Sequence, residues 1–104
     1  MADNFRFGYL DQTKITESQI DDINALLKQL SKKSEGVDAS VLKDILSQSG
    51  VFVLVVKNLD DRIVGMATLA IRRLLLNKTG IIGDVVVDEK YRGMKLGKIM
   101  MEFL

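Results

Sequence analysis

The stretch Val85-Val86-Val87-Asp88-Glu89-Lys90-Tyr91-Arg92-Gly93-Met94-Lys95-Leu96-Gly97-Lys98 reads as a strand, a polar loop and the first turn of a helix. Three consecutive valines leave the strand no polar face, so it must be covered on both sides. Asp88, Glu89 and Lys90 end it, and Leu96, Ile99, Met100, Phe103 and Leu104 then recur at helical spacing. At a helix start the first main-chain N–H groups lack an intrahelical acceptor and the dipole is positive, so a loop with small residues there can wrap a phosphate or pyrophosphate. Gly93 and Gly97 permit a close approach, and Arg92, Lys95 and Lys98 bring positive charge to the same spot. The same residues also suit a plain turn, with Gly93 reversing the chain, Gly97 packing the helix on a sheet and the basic groups solvated. Two other phosphate motifs fail. A P-loop needs four residues between its glycines and Ser or Thr after its Lys, where Lys98 is followed by Ile99, and the dinucleotide fingerprint lacks its early glycine pair.

Upstream of this stretch, Ile81 to Asp88 is the last of three successive antiparallel strands. Asn77 to Gly80 reads as the turn before it, Arg62 to Arg73 as the middle strand, Asn58 to Asp61 as a turn, and Val51 to Lys57 as the first strand of the meander. Val41, Leu42, Ile45 and Leu46 mark a short helix behind Asp38 or Ser40, ended by Gly50. Thr16 followed by Gln19 is a capping-box pattern, and Ile20, Ile23, Leu26, Leu27 and Leu30 place a helix from about Glu17 to Ser31. Phe5 to Leu10 alternates with Phe5, Phe7 and Tyr9 on one face, the period of a half-buried strand. The order is β-α-α-β-β-β-α, an α+β fold with a mainly antiparallel sheet.

At 104 residues the chain holds one core, so residues 1–104 are a single domain. With 47% apolar residues and 15 basic against 14 acidic groups it is globular, and its net charge of +1 argues against a nucleic-acid binder built on Arg72, Arg73, Lys78, Arg92, Lys95 and Lys98. Neither Cys nor His occurs, which removes disulfides, thiolate chemistry, His-based triads and the usual zinc sites, so no metal is expected. The longest apolar run, Val51 to Val56, is too short to span a bilayer, and the N-terminal residues lack a signal-peptide core; a cytoplasmic protein with no membrane partner is expected.

Asp84 to Gly97 resembles motif A of the GNAT superfamily of N-acetyltransferases, whose signature is Arg/Gln-x-x-Gly-x-Gly/Ala. Arg92, Leu96 and Gly97 fit it, and Lys95 stands where the middle glycine is usual. The element order is also that of the first two-thirds of the acyl-CoA N-acyltransferase fold. The resemblance implies acetyl-CoA as cosubstrate, with its pantetheine arm along Val85, Val86 and Val87 and its pyrophosphate held by Arg92, Gly93, Met94, Lys95, Leu96, Gly97 and Lys98. It implies direct acetyl transfer to an amine-bearing substrate, small molecule or protein, with no covalent enzyme intermediate. Asp84 is the carboxylate near the acetyl end of the strand and the candidate catalytic residue. Gly83 stands where glucosamine-phosphate acetyltransferases carry a second acid, which speaks against a sugar acceptor. Asp88 and Glu89, beyond the strand, read as loop solubilisers.

The resemblance also implies that a strand and a further helix follow Leu104, so the domain is expected to be truncated, with weak or no turnover as an isolated chain. The unpaired edge of Ile81 to Asp88, beside the apolar face of the last helix, is expected to drive self-association, a homodimer being its simplest form. The competing reading is an inactive fragment or interaction module, completed by another chain at that edge.

Overall fold

A computed structural model describes residues 4–103; Leu104, the last residue of the helical stripe, lies outside them. The elements are β1 (Arg6–Tyr9), α1 (Glu17–Leu30), α2 (Ala39–Ser47), β2 (Val51–Lys57), β3 (Ile63–Arg73), β4 (Lys78–Val87) and α3 (Leu96–Phe103), with 3-10 turns at Gln12–Lys14 and Glu89–Tyr91. The four strands form one antiparallel sheet in the order β1-β2-β3-β4, as the sequence order predicts for a meander preceded by an edge strand.

Both helices of the first half are fixed at their starts by side chains. Thr16 Oγ1 accepts from the Gln19 N–H at 3.2 Å while Gln19 Oε1 accepts from the Thr16 N–H at 3.1 Å, the reciprocal pair that the Thr-x-x-Gln spacing predicts. Of the two candidate caps for α2, Asp38 serves, accepting from the Val41 N–H at 2.8 Å. Gly50 turns the chain into β2 with φ +83, and a Cβ there would stand 2.5 Å from the Ile71 carbonyl oxygen, so no other residue fits.

The sheet is covered on both faces. Ile20, Ile23, Leu26 and Leu42 of α1 and α2 pack with Val53, Val55, Met66 and Val86 on one side. Leu96 and Met100 of α3 pack with Leu54, Val56, Val64 and Ala67 on the other, joined by Phe5, Phe7, Val85 and Val87. The three valines of β4 thus divide between the two layers, as their unbroken apolar run requires. Phe5, Phe7 and Tyr9 lie on the α3 side: Phe7 stacks on Phe103 with ring centroids 5.2 Å apart, Phe5 meets Tyr91 edge-on, and the Tyr9 hydroxyl donates to the Phe103 carbonyl.

Three expectations need correction. The reversal between β3 and β4 is made by Leu74 to Asn77, closed by the Leu74 N–H on the Asn77 carbonyl at 2.7 Å, and not by Asn77 to Gly80. Core pairing fixes Met66 against Val86, and counting outward along the ladder brings Arg73 opposite Lys78, which leaves the three leucines and Asn77 for the turn. Leu75 and Leu76 are consequently among the most exposed side chains, and Gly80 is paired with Ile71 inside the ladder. Secondly, Leu96 and Met100 of the apolar face of α3 are buried under the sheet, while Phe103 at its end is half-exposed. Exposed apolar side chains gather along the β3–β4 hairpin at Leu75, Leu76, Ile81 and Ile82 as well. Finally, Asp88 is not a loop solubiliser: it caps the 3-10 turn, accepting from the Lys90 N–H at 2.9 Å.

Candidate acetyl-transfer site

The site is built where β4 ends. Met66 pairs with Val86 but Thr68 pairs with Gly83, so two steps along β3 face three along β4 and the extra residue falls at Asp84 and Val85. Asp84 takes φ 52, in the left-handed region that Asp tolerates better than most residues, and the bulge aims its carboxylate. Thr68 Oγ1 donates to Asp84 Oδ2 at 3.4 Å, and both residues border a cleft between the sheet and α1 and α2. Among the described residues the outer edge of β4 has no partner strand, so main-chain groups along that edge face away from β3.

The loop after β4 is held from three directions. The Asp88 N–H donates to the Val64 carbonyl at 2.8 Å, extending the ladder one residue beyond Val87. Gln29 of α1 reaches across, its Oε1 accepting from the Glu89 N–H at 2.9 Å and its Nε2 donating to Asp88 Oδ2 at 3.4 Å. Tyr91 fixes the far side, packing edge-on against Phe5 and accepting from Asn58 Nδ2 at 3.1 Å. Arg92 folds back, its Nε donating to the Val87 carbonyl at 3.0 Å. That bond gives Arg92 a role within the loop beyond its charge.

Beyond Arg92 the backbone turns twice through the left-handed region, with φ +91 at Gly93 and +63 at Lys95. Lys95 therefore holds, at some steric cost, the conformation for which the motif keeps a glycine. The ladder of α3 opens with the Ile99 N–H on the Lys95 carbonyl at 3.1 Å, so the first-turn N–H groups before Ile99 face the helix start. A Cβ placed on Gly97 would meet no atom within 4 Å. Helix packing therefore does not require this glycine, and the space beside it is open. Met94, Lys95 and Lys98 are exposed around the same turn, whereas Leu96, the remaining residue of the candidate loop, is buried under the sheet.

Of the residues named from sequence, the end of β4, the loop and the α3 start follow one another directly, with Leu96 buried and Asp84 on the α1 and α2 side of the sheet. Sequence reasoning missed Gln29, an exposed-looking helix glutamine whose partners lie about sixty residues away, and nothing local signals it. Lys95→Gly should raise stability by up to about 1 kcal/mol by relieving the left-handed strain. The same change should weaken CoA binding by less than about tenfold, an effect that shrinks with salt. Thermal unfolding and calorimetry at two ionic strengths check both halves.

The profile of the acetyltransferase (GNAT) family matches residues 18–104. The chain belongs to that family. Solved structures agree with the assignment: glucosamine-6-phosphate N-acetyltransferase from Arabidopsis thaliana superposes with a TM-score of 0.78 at 26% identity, over 95% of this chain and 70% of that one. An acetyltransferase from Trypanosoma brucei gives 0.77 at 26% identity with the same coverage. An aminoglycoside acetyltransferase from an uncultured soil metagenomic sample shares the fold, with a TM-score of 0.81 at 19% identity over 97% of this chain and 67% of its own. The α+β architecture read from the sequence is thus the GNAT fold over the residues compared.

Proposed function

We propose that this GNAT chain binds acetyl-CoA along β4 and the α3 start and transfers the acetyl group to a primary amine held by Asp84. The observation that carries the reading is the open helix start at Gly97, where unpaired first-turn N–H groups stand beside the exposed Lys95 and Lys98 and match a pyrophosphate in charge.

Each residue then has a distinct task. The main-chain groups that Val85 to Val87 leave unpaired on the outer edge, the Val87 carbonyl being held by Arg92, pair with the amide-bearing pantetheine arm as a further strand would. Gly93 and Lys95 bend the loop, and the N–H groups at the α3 start donate to phosphate oxygens. Acetyl-CoA, when bound, would supply the thioester carbonyl for the amine nitrogen to attack; the C–N bond forms, the C–S bond breaks, and the surplus proton of that nitrogen passes to the leaving sulfur. Asp84 holds the ammonium form of the acceptor and takes the proton released on its way to the nucleophilic amine. Thr68 orients that carboxylate through its hydroxyl hydrogen bond.

Calorimetric titration of the 104-residue chain with CoA tests the cofactor half, with one-to-one binding expected and its absence leaving the interaction-module reading. Asp84→Asn keeps the shape and the tolerance for left-handed φ, so CoA affinity should be unchanged while the weak acetyl transfer expected of the chain is lost. Equal loss of both would assign Asp84 to the bulge alone.

A further inference from the structure

We propose that Gln29, in the last turn of α1, is a positioning residue for the cosubstrate: it presets the loop between β4 and α3 and thereby raises CoA affinity without being one of the groups that hold CoA. The inference rests on the reading of that loop as the pyrophosphate holder. Gln29 spans two neighbouring groups at the loop base, its Oε1 accepting from the Glu89 N–H at 2.9 Å and its Nε2 donating to Asp88 Oδ2 at 3.4 Å. Turned over, the amide would set its NH2 against an N–H and its oxygen against a carboxylate, so one orientation fits. The bonds complete a set. Asp88 Oδ1 accepts from the Lys90 N–H at 2.9 Å and the Asp88 carbonyl from the Tyr91 N–H at 2.8 Å, so every N–H of the 3-10 turn Glu89–Tyr91 has an acceptor. Gln29 supplies the acceptor that the loop cannot supply itself.

The mount for this side chain is fixed. Leu26, in the preceding turn of α1, is buried, and Asp22 of the same helix accepts from the Ile63 N–H at 3.0 Å, so α1 is tied to the sheet before Gln29 extends from it. On the loop side, Asp88 follows the last residue of β4, Arg92 bonds back to the Val87 carbonyl at 3.0 Å, and Gly93 and Lys95 then turn through positive φ. A shift at Asp88 and Glu89 therefore moves the strand end and the loop together. A ligand that must first order its loop binds more weakly, in proportion to the time the loop spends out of place. Gln29 is exposed and its bonds compete with water, so the effect is moderate in size.

The native 104-residue chain and three variants test this by CoA calorimetry, with the amide chemical shifts of Glu89, Gly93 and Gly97 in the ligand-free state as a second readout. Gln29→Ala should weaken CoA binding by about three- to tenfold, move these shifts and leave the melting temperature nearly unchanged. Gln29→Glu should lose at least as much, because its carboxylate would face that of Asp88. Combining Gln29→Glu with Asp88→Asn exchanges donor and acceptor at the same net charge: the new amide nitrogen donates to the carboxylate, and the amide oxygen still caps Lys90. This pair should restore the affinity to within about twofold and return the shifts. A merely structural contact would move the melting temperature and leave the affinity of the folded protein alone. Native affinity in folded Gln29→Ala, or a double variant that binds no better than Gln29→Glu, overturns the assignment. Failure of the native chain to bind CoA, with the shifts still lost in Gln29→Ala and recovered in the double variant, would instead sink the cofactor reading and leave Gln29 as the residue that sets the loop.

Discussion

Gly97→Val should leave the chain folded and reduce its affinity for CoA by a hundredfold or more. A Cβ at this position points into space empty of protein atoms within 4 Å, so the larger side chain costs little in packing. Valine is also a somewhat better helix residue than glycine, by a few tenths of a kcal/mol. The expected melting temperature is therefore unchanged or slightly higher. The branched methyls would fill the volume over the first turn of α3, where the pyrophosphate must approach the main chain. Size should grade the effect: the motif accepts alanine here, so Gly97→Ala should lose only a small part of the affinity. Gly93→Val is the less clean probe, because φ +91 makes any branched residue there strain the loop itself, and lost binding would mix with a lost conformation. Unchanged calorimetric affinity in a folded Gly97→Val protein would remove the pyrophosphate cradle from this loop.

The reason such a test can be designed at all is that much of the fold was legible from local rules. The Thr16 and Gln19 pair and the Asp38 cap are each confined to one turn, and the structure forms them where the spacing places them. Val85, Val86 and Val87 announced burial on both faces because no alternation was left in them, and the two cores divide them accordingly. The β3–β4 reversal was misplaced because turn-forming residues compete with register. Asn77 and Gly80 have turn chemistry, but cross-strand pairs in the core outweigh it and push three leucines into the loop.

The candidate site was legible as a loop motif and opaque in the parts that depend on distant contacts. The bulge at Asp84 arises from pairing with β3, and the Gln29 clip from the packing of α1 over the sheet, so neither leaves a pattern in its own neighbourhood. Lys95 is intermediate. Its place in the motif's glycine slot identified a departure, and its φ of 63 gives that departure its physical meaning. Asp22 was hidden in a similar way, since beside Asp21 on an amphipathic helix it reads as one more solvated acid.

Asp22→Ala should be the most destabilising single change among the polar residues, by about 2–3 kcal/mol, or roughly 10–15 °C in melting temperature. The carboxylate is 8% exposed, and it accepts from Arg62 Nε at 3.0 and 3.1 Å and from the Ile63 N–H at 3.0 Å, tying α1 to the start of β3. Removing it strands the buried Ile63 N–H, while the half-exposed Arg62 side chain can return to water, which keeps the loss below that of a fully buried ion pair. Burial pushes the Asp22 carboxyl up, but the Arg62 hydrogen bonds, the Ile63 N–H and the Arg62 charge outweigh it and hold the group below its ordinary value. A depressed folded-state pKa means that this stabilisation is complete above the unfolded value of about 3.9 and is lost as pH falls through the folded one. Asp22→Asn keeps an acceptor for Ile63 and removes the charge. The stability gap between the native protein and Asp22→Asn should therefore stay constant from pH 7 to about 5 and close below about pH 4. Denaturant unfolding at several pH values measures this gap, and a gap that stayed constant down to pH 2 would show that the charge of Asp22 contributes nothing.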